Sequence, residues 1–198
     1  MQQIILQYED LLKNTFSSIE SPVFIEIGSE RGHGSTEHHA SMCNRLNFQF
    51  ITVDAYGPTT ENARNIVKSH SDNFEAYNML GEDYLRDFNS EIHVLYLDSF
   101  DLEHMGDRTE GVVASTRGSY SERGVELNNT NCHLAHLNMA KNSIDKMAKN
   151  GIVFFDDVYS GPPNWVGKGK TAIPFLLEKG YRIIDQNKEQ LILQKPDE

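Results

Sequence analysis

A glycine-rich turn between two apolar runs constrains this chain more than any other feature. Residues 24–34 read FIEIGSERGHG, and a second apolar run at 50–53 ends at Asp54. Glycines let backbone N–H groups approach a ligand that any Cβ would hold off, and the later carboxylate can accept hydrogen bonds from two ribose hydroxyls. The order strand, glycine turn, helix, strand and terminal carboxylate therefore indicates a site for a nucleotide-type cofactor.

Apolar runs recur between helix-like segments along the rest of the chain. The runs are continuous rather than alternating, which is typical of parallel strands buried on both faces of a sheet. The last two runs are joined by a polar turn and predict an antiparallel hairpin. The predicted strands are 22–27, 50–53, 74–79, 92–97, 152–155, 181–184 and 190–194, and the predicted helices are 36–46, 60–70, 84–88, 131–149 and 170–178.

One predicted helix, 131–149, has a clear expected buried face. That face consists of Leu134, Leu137, Ala140, Ile144 and Met147, and we expect Gly151 to end the helix.

The length of 198 residues fits one domain with a full-sized core. Apolar positions within residues 1–20 predict an amphipathic N-terminal helix. Residues 102–130 are rich in Gly, Ser, Thr, Glu and Arg and lack periodicity. Long segments of this kind inside compact domains often serve as lids, so we expect a lid-like insertion here.

Charge and composition exclude several classes of function. The formal net charge of −11 argues against a nucleic-acid partner, because affinity for a duplex depends on clustered Lys and Arg. No apolar run approaches the roughly 20 residues that span a bilayer, and the N-terminus lacks the features of a signal peptide. Cys43 and Cys132 give neither a metal-type pair nor a disulfide framework. We expect a cytoplasmic protein that acts on a small molecule and has no membrane partner. A homodimer is a possible oligomeric state.

Acidic residues follow the predicted strands repeatedly. Asp98 comes after the fourth strand, and Asp156 and Asp157 come after the fifth. A carboxylate that closes an apolar strand needs a partner, and carboxylate oxygens from neighbouring strands suit a divalent cation. The first hypothesis is an Mg²⁺ or Mn²⁺ site made by these three residues. The alternative is that the aspartates only cap turns.

Two histidines, His133 and His136, lie one turn apart on a predicted helix. They could add nitrogen ligands, which would favour Mn, Fe or Zn over Mg, or they could act as a base. Such histidines are more often solvated or hydrogen-bonded.

A glycine-flanked lysine opens the last predicted helix. Residues 167–170 read GKGK, so Lys168 is a candidate contact for an anion or a substrate. A flexible, solvated turn is the alternative. The segment 161–165 just before it carries the only Trp and could wall a substrate pocket.

The chain resembles class I S-adenosylmethionine-dependent methyltransferases over about residues 22–195. Residues 26–34 are similar to the first motif of that family, Asp54 to its ribose-binding acid, and residues 81–83 to the turn that contacts adenine. The resemblance implies a doubly wound, Rossmann-like α/β fold with a mostly parallel seven-stranded sheet, a C-terminal antiparallel hairpin and helices on both faces. The cofactor-binding residues that it implies are Glu26, Gly28, Ser29, Gly32, Gly34, Ser35, Asp54, Ala55, Gly81, Glu82, Asp83 and Asp98.

Within that superfamily, the aspartates after strands four and five resemble the metal ligands of catechol-type O-methyltransferases. Those proteins carry an Asp-Asn pair where this chain has Asp156 and Asp157, and the lysine that often follows the first Asp is missing here. Metal binding is therefore implied, whereas the general base of that group is not transferable. The implied metal ligands are Asp98, Asp156, Asp157 and His133, and the catalytic candidates are Asp98, Asp101, His136 and Lys168.

The resemblance implies a metal-assisted O-methylation of a small molecule of the sugar or secondary-metabolite type. Arg108, Arg117 and Arg123 of the insertion could contact an anionic substrate. Two alternatives stay open: a metal-dependent hydrolase or oxygenase on the same fold, and a non-catalytic methyltransferase-like subunit.

Overall fold

A seven-stranded sheet organises the part of the chain that the structure describes. The computed structural model describes residues 2–29, 33–100, 102 and 110–197. The strands are β1 (Val23–Ile27), β2 (Gln49–Asp54), β3 (Glu75–Asn78), β4 (Ile92–Leu97), β5 (Met147–Phe155), β6 (Arg182–Gln186) and β7 (Leu191–Gln194). Their spatial order is β3-β2-β1-β4-β5-β7-β6. Strands β1 to β5 pair in parallel, and β7 runs antiparallel to both β5 and β6.

Helices cover both faces of this sheet. They are α1 (Gln2–Thr15), α2 (Ser35–Leu46), α3 (Gly57–His70), α4 (Gly81–Asp87), α5 (Glu110–Glu122), α6 (Asn129–Ser143) and α7 (Ala172–Glu178). Helices α1, α2 and α3 contribute to one hydrophobic cluster, and α4, α6 and α7 contribute to the other. The predicted α/β class, the mostly parallel sheet and the terminal antiparallel pair are confirmed. None of the helices in the described part of the chain is long and apolar enough to cross a membrane.

The chain reverses its direction of travel across the sheet between β1 and β4. From β1 it proceeds through β2 to β3 at one edge, and it then returns to β4 beside β1 and continues to β5. The carboxyl ends of β1 and β4 therefore adjoin at a topological switch point, where ligands bind in open α/β sheets.

The predicted helix 131–149 is wrong at its C-terminal end. Helix α6 ends at Ser143, and residues 147–150 already belong to β5. Met147 is buried and pairs with Ile92 of β4. Gly151 does not stop the helix but lies within the strand, where a Cβ would approach the carbonyl oxygen of Ala148 to 2.8 Å. Strand pairing and core burial outweigh the helical preference of this short segment.

The predicted buried face of α6 is only partly correct. Ala140 is buried as predicted, whereas Leu134 is half exposed. The helix buries Cys132, Ala135, His136, Met139, Ala140 and Ser143. These residues recur at the three- and four-residue spacing of one helix face, but two of them are polar. The insertion 102–130 contains α5, which its composition did not predict.

Strand β6 forms one edge of the sheet. It is largely exposed, and its register with β7 is irregular between Ile183 and Asp185. The hydroxyl of Tyr8 in α1 donates a hydrogen bond to the Asp185 carboxylate, which ties the N-terminal helix to this edge.

Candidate active site

The glycine turn after β1 packs directly on the segment that follows β4. Gly28 has a φ of +103°, and a Cβ there would lie 2.7 Å from the carbonyl oxygen of Asp98 and 2.9 Å from the amide nitrogen of Ser99. The N–H of Gly28 donates to the carbonyl of Val53 at 2.8 Å. Only glycine combines this φ with this approach. Gly34, with a φ of +73°, leads into α2, and Gly32 lies outside the described residues.

A buried carboxylate, that of Glu26, lies beneath the glycine turn. Glu26 has no exposed surface, and its two oxygens accept hydrogen bonds from four side chains at 2.7 to 3.0 Å. These donors, in α2 and β2, are Ser35, Thr36, His39 and Thr52. Glu26 and Ser35 were predicted to bind cofactor, and in this structure their side chains bond each other beneath the turn. A carboxylate satisfied in this way stabilises the helix start that follows the glycines.

Asp54 lies next to the glycine turn, at the end of β2. One carboxylate oxygen accepts the N–H of Ser29 at 2.9 Å, and the other accepts the N–H of Tyr56 at 2.7 Å. Each carboxylate oxygen has more than one acceptor direction, so these bonds orient the group and are compatible with hydroxyl ligands. The structure brings together the two elements that the sequence predicts to form a cofactor site.

A cleft of about 590 Å³ opens beyond the carboxyl ends of β2 and β3. This volume falls in the usual range for small-molecule sites. Its lining includes the predicted residues Ala55 and Asp83, with Tyr56, Gly57, Pro58, Asn78, Met79, Leu80, Glu122 and Arg123. Asp54, which directly precedes Ala55 in the chain, and the glycine turn bonded to Asp54 adjoin this cleft.

The predicted turn at 81–83 is the start of α4. Gly81 is buried, and a Cβ there would lie 2.2 Å from Cγ2 of Ile27, so this glycine allows α4 to pack on β1. Burial raises the pKa of Glu82. Asp83 is half-buried at the cleft.

The C-terminal end of helix α5 lies beside the cleft and the switch point. The ring of Tyr120 packs on Phe100 with 4.4 Å between centroids, next to the switch point. Arg123, just beyond the helix, donates from Nε to the carbonyl of Ala55 at 2.7 Å and from Nη2 to Oδ1 of Asn78 at 2.5 Å. The C-terminal end of α5 thus contacts both the β4 side and the β2–β3 side of the site.

A buried lysine lies among the predicted metal ligands. Lys168 is 2% exposed, and its Nζ lies 2.7 Å from Oδ1 of Asp98 and 2.9 Å from Oδ2 of Asp157. The same Nζ lies 3.3 Å from the carbonyl oxygen of Asp98. Burial raises the pKa of Asp98 to about 7, with Lys168 opposing the shift and Asp156 adding to it.

Two glycines carry Lys168 into this position. Gly167 has a φ of +111°, and a Cβ there would lie 1.8 Å from the carbonyl oxygen of Asp157. A Cβ at Gly169 would lie 2.4 Å from Cδ1 of Ile173. The N–H of Lys168 donates to the Asp157 carbonyl at 3.0 Å, so the backbone of this segment lies against the end of β5.

The other carboxylates have partners of their own. Tyr96 donates to Oδ2 of Asp156 at 2.9 Å and accepts from Nε2 of Gln190 at 3.0 Å. Tyr159 donates to Oδ1 of Asp157 at 2.7 Å. Burial raises the pKa of Asp156, against the attraction of Lys168.

The two histidines do not form a ligand pair. His136 is fully buried, and Nδ1 bonds the carbonyl of Cys132 at 2.9 Å. Burial lowers the pKa of His136 to about 3, and it also lowers the pKa of the half-buried His133. Neutral His136 is therefore enclosed in the core at physiological pH, where direct contact with a substrate would require the core to open.

The predicted divalent-metal site does not fit this arrangement. Within residues 2–29, 33–100, 102 and 110–197, no group of three or more His, Cys, Asp or Glu is placed to hold a metal ion. The physical reason is the ammonium of Lys168, which occupies the space between the Asp98 and Asp157 carboxylates. A metal ion there would face a fixed positive charge. Asp101 and Arg108 lie outside the described residues, and Arg117 is exposed on α5.

Several site residues were not predicted from the sequence. Tyr96 lies within the apolar run of β4, and Gln190 lies in the polar turn before β7, so neither segment suggested a polar contact with Asp156. Tyr159 lies two residues beyond Asp157, and that spacing was the one available signal.

Comparisons with known proteins agree with this fold. No family model and no curated protein sequence matches the chain. Among solved structures, CalS11, a TDP-rhamnose 3′-O-methyltransferase of calicheamicin biosynthesis, is 14% identical, with a TM-score of 0.60 over 98% of this chain and 79% of that one.

Two further solved structures are similar. Fibrillarin from Aeropyrum pernix, with bound S-adenosyl-L-methionine, is 10% identical, with a TM-score of 0.52 over 88% of this chain and 66% of that one. Precorrin-6y C5,15-methyltransferase from Geobacter metallireducens is 8% identical, with a TM-score of 0.53 over 96% and 88%. At these identities the likeness shows the fold, which is the Rossmann-like fold of S-adenosylmethionine-dependent methyltransferases.

Proposed function

We propose that this chain is an S-adenosylmethionine-dependent methyltransferase that acts on a hydroxyl oxygen of a small molecule. The observation that carries the proposal is the contact between the Gly28 turn and the Asp98–Ser99 peptide, with Asp54 bonded to the same turn. This contact places the glycine turn beside Asp98, which contacts Lys168, at the topological switch point of the sheet. The fold shared with methyltransferases supports the same conclusion.

The cofactor would be held by the elements that adjoin the cleft. The backbone of Gly28 and Ser29, the Asp54 carboxylate, and the cleft residues Ala55 and Asp83 are the groups we expect to contact it. S-adenosylmethionine, when bound, supplies an electrophilic methyl group. The chain's own contribution is to bind and orient the two reactants and to exclude water, and orientation alone can contribute on the order of 7–11 kcal/mol.

The acceptor would bind near the exposed parts of Asp98 and Asp157. Their side chains are 19% and 35% exposed, and their oxygens accept hydrogen bonds from hydroxyl groups. We propose a sugar or a secondary-metabolite type of acceptor. The fold similarity to CalS11, which is described as acting on TDP-rhamnose, supports testing sugars first.

Calorimetry with S-adenosylmethionine and S-adenosylhomocysteine tests the proposal. We expect both ligands to bind the wild-type protein, and Asp54→Asn to weaken binding by about tenfold or more through loss of a charge-assisted hydrogen bond. Asp72→Asn is the matched control, because Asp72 is exposed at the opposite end of the sheet, before β3. Circular dichroism checks that each variant is folded.

Absence of binding by folded wild-type protein would refute the cofactor assignment and leave the non-catalytic alternative. If the cofactor binds, methyl transfer is sought by mass spectrometry with a panel of sugars and phenols. Binding without transfer to any hydroxyl compound, but with transfer to an amine or thiol panel, would contradict the acceptor class.

A further inference from the structure

We infer that Lys168 is the permanent cation of the acceptor site, and that it takes the place of the divalent metal ion of catechol-type enzymes. The acceptor then binds through hydroxyl groups that donate hydrogen bonds to the Asp98 and Asp157 carboxylates. This inference rests on the proposed function. It adds a substrate chemistry: a neutral or cationic hydroxyl compound recognised by hydrogen-bond donation, rather than a diol chelated by a metal.

The first support is the position of the ammonium. Nζ of Lys168 contacts both Asp98 and Asp157 at 2.7 and 2.9 Å, although these residues follow different strands. It also lies within hydrogen-bond distance of the Asp98 carbonyl. One group thus makes the contacts by which a cation would join the ends of β4 and β5. The lysine is buried whereas the carboxylates are partly exposed, so Lys168 positions the groups that face an acceptor.

The second support is the way the backbone is arranged to deliver this lysine. Gly167 and Gly169 both make approaches that a Cβ would obstruct, to Asp157 and to Ile173 respectively. A solvated surface turn has no need for two such contacts. Lys170, the next lysine, is exposed, so burial is specific to the first of the two.

The third support is the balance of charge. Asp98 and Asp157 contact the single ammonium in the described part of the site, and Asp156 interacts with it electrostatically. Hydroxyls from Tyr96 and Tyr159 donate hydrogen bonds to Asp156 and Asp157. A site of this sign disfavours an anionic acceptor and favours a group that can donate a proton.

The reaction at this site balances without a metal ion. As the acceptor oxygen forms its bond to the methyl carbon, the carbon–sulfur bond breaks, the electron pair stays on sulfur, and the hydroxyl proton passes to the Asp98 carboxylate. Lys168 orients that carboxylate and favours its ionised form.

Manganese titration tests the inference without a known acceptor. With S-adenosylhomocysteine present, Mn²⁺ binding is measured by electron paramagnetic resonance on the wild-type protein, Lys168→Ala and Lys170→Ala. We expect weak, unsaturated binding by the wild type and by Lys170→Ala. Lys168→Ala should bind one Mn²⁺ at least about tenfold more tightly, because the space between the Asp98 and Asp157 carboxylates then no longer holds a positive charge.

A second variant locates any new metal site. Adding Asp98→Asn to Lys168→Ala should abolish the gained Mn²⁺ binding, whereas a merely structural lysine would give no gain at all. Tight, stoichiometric Mn²⁺ binding by the wild type that is lost in Asp98→Asn would overturn the inference, and this measurement does not depend on the folding of a lysine variant. Equal weak binding by folded Lys168→Ala and wild type would also overturn it.

The two proposals fail in different ways. Loss of S-adenosylhomocysteine binding by the wild type contradicts the proposed function, whatever the manganese result. Cofactor binding together with a wild-type Mn²⁺ site at Asp98 leaves the methyltransferase assignment standing and removes only the role of Lys168.

Discussion

Replacing Lys168 by methionine should destabilise the protein more than any comparable surface change. Methionine keeps an unbranched apolar stem but removes the ammonium that contacts Asp98 and Asp157. Breaking a buried pair by removing one partner costs about 3–5 kcal/mol, because the remaining charge is left uncompensated. For a chain of 198 residues this corresponds to a fall in Tm of roughly 6–20 °C. Urea unfolding at neutral pH measures the free energy directly.

The same variant has a predicted pH dependence. Burial raises the pKa of Asp98 to about 7, against an ordinary value of 3.8, so the folded state binds more protons than the unfolded state between these limits. The stability contribution of this group is therefore fully present below pH 3.8 and is lost as the pH rises through about 7. Without the opposing ammonium this effect grows. The deficit of Lys168→Met relative to wild type should shrink as the pH is lowered from 8 towards 4.

Lys170→Met is the control, since Lys170 is exposed and lies two residues further along the same segment. We expect it to change stability by less than about 0.5 kcal/mol. A Lys168→Met deficit below about 1 kcal/mol at neutral pH, or a deficit that grows on acidification, would refute the assignment of Lys168 as the counter-ion of these carboxylates.

Three further perturbations test other parts of the site. Gly28→Ala should lower the free energy of unfolding by about 1–3 kcal/mol through backbone strain and should displace the peptide after Asp98. Calorimetry should therefore show weakened S-adenosylhomocysteine binding, and an unchanged affinity would count against the turn as a cofactor site. Glu26→Gln should lower the free energy of urea unfolding by roughly 1.5–3 kcal/mol, the value of one charge-assisted bond, and a neutral result would contradict its role beneath the turn. Arg123→Ala should speed cofactor association in stopped-flow experiments, because the Arg123 side chain is bonded to the carbonyl of Ala55 in the cleft. Since that side chain is exposed, the free energy of unfolding should change by less than about 1 kcal/mol. Slower association would contradict this interpretation.

The fold followed from the sequence because its signals are local and repeated. Strands such as β1 and β4 are buried and mostly apolar along their whole length, the glycine turn follows β1, and Asp54 ends β2. The acidic residues at the strand ends also lie where the parallel arrangement predicts, since such ends meet at one edge of a sheet. The failures were at boundaries, as at residues 147–150, where pairing to β4 decides a segment that has no strong preference of its own.

The charge arrangement of the site could not be obtained in the same way. The segment GKGK is compatible with a ligand contact and with a solvated turn, and the direction of Lys168 depends on contacts with Asp157 and Ile173 that sequence spacing does not encode. His136 shows the same limit. Its neighbours on α6 are small or apolar, so the helix buries it, whereas the predicted face would have buried Leu134.

The irregular pairing of β6 has a consequence for how this molecule meets copies of itself. An edge strand has unpaired backbone groups that can form hydrogen bonds with a strand of another chain. The partly exposed Ile183 and Ile184 would favour such pairing. The interrupted register near Asp185 breaks the regular spacing that an intruding strand would need, and the adjoining Arg182 and Asp185 place charges along the same border. We therefore expect the interrupted register and the charges of β6 to disfavour the addition of a strand from another copy.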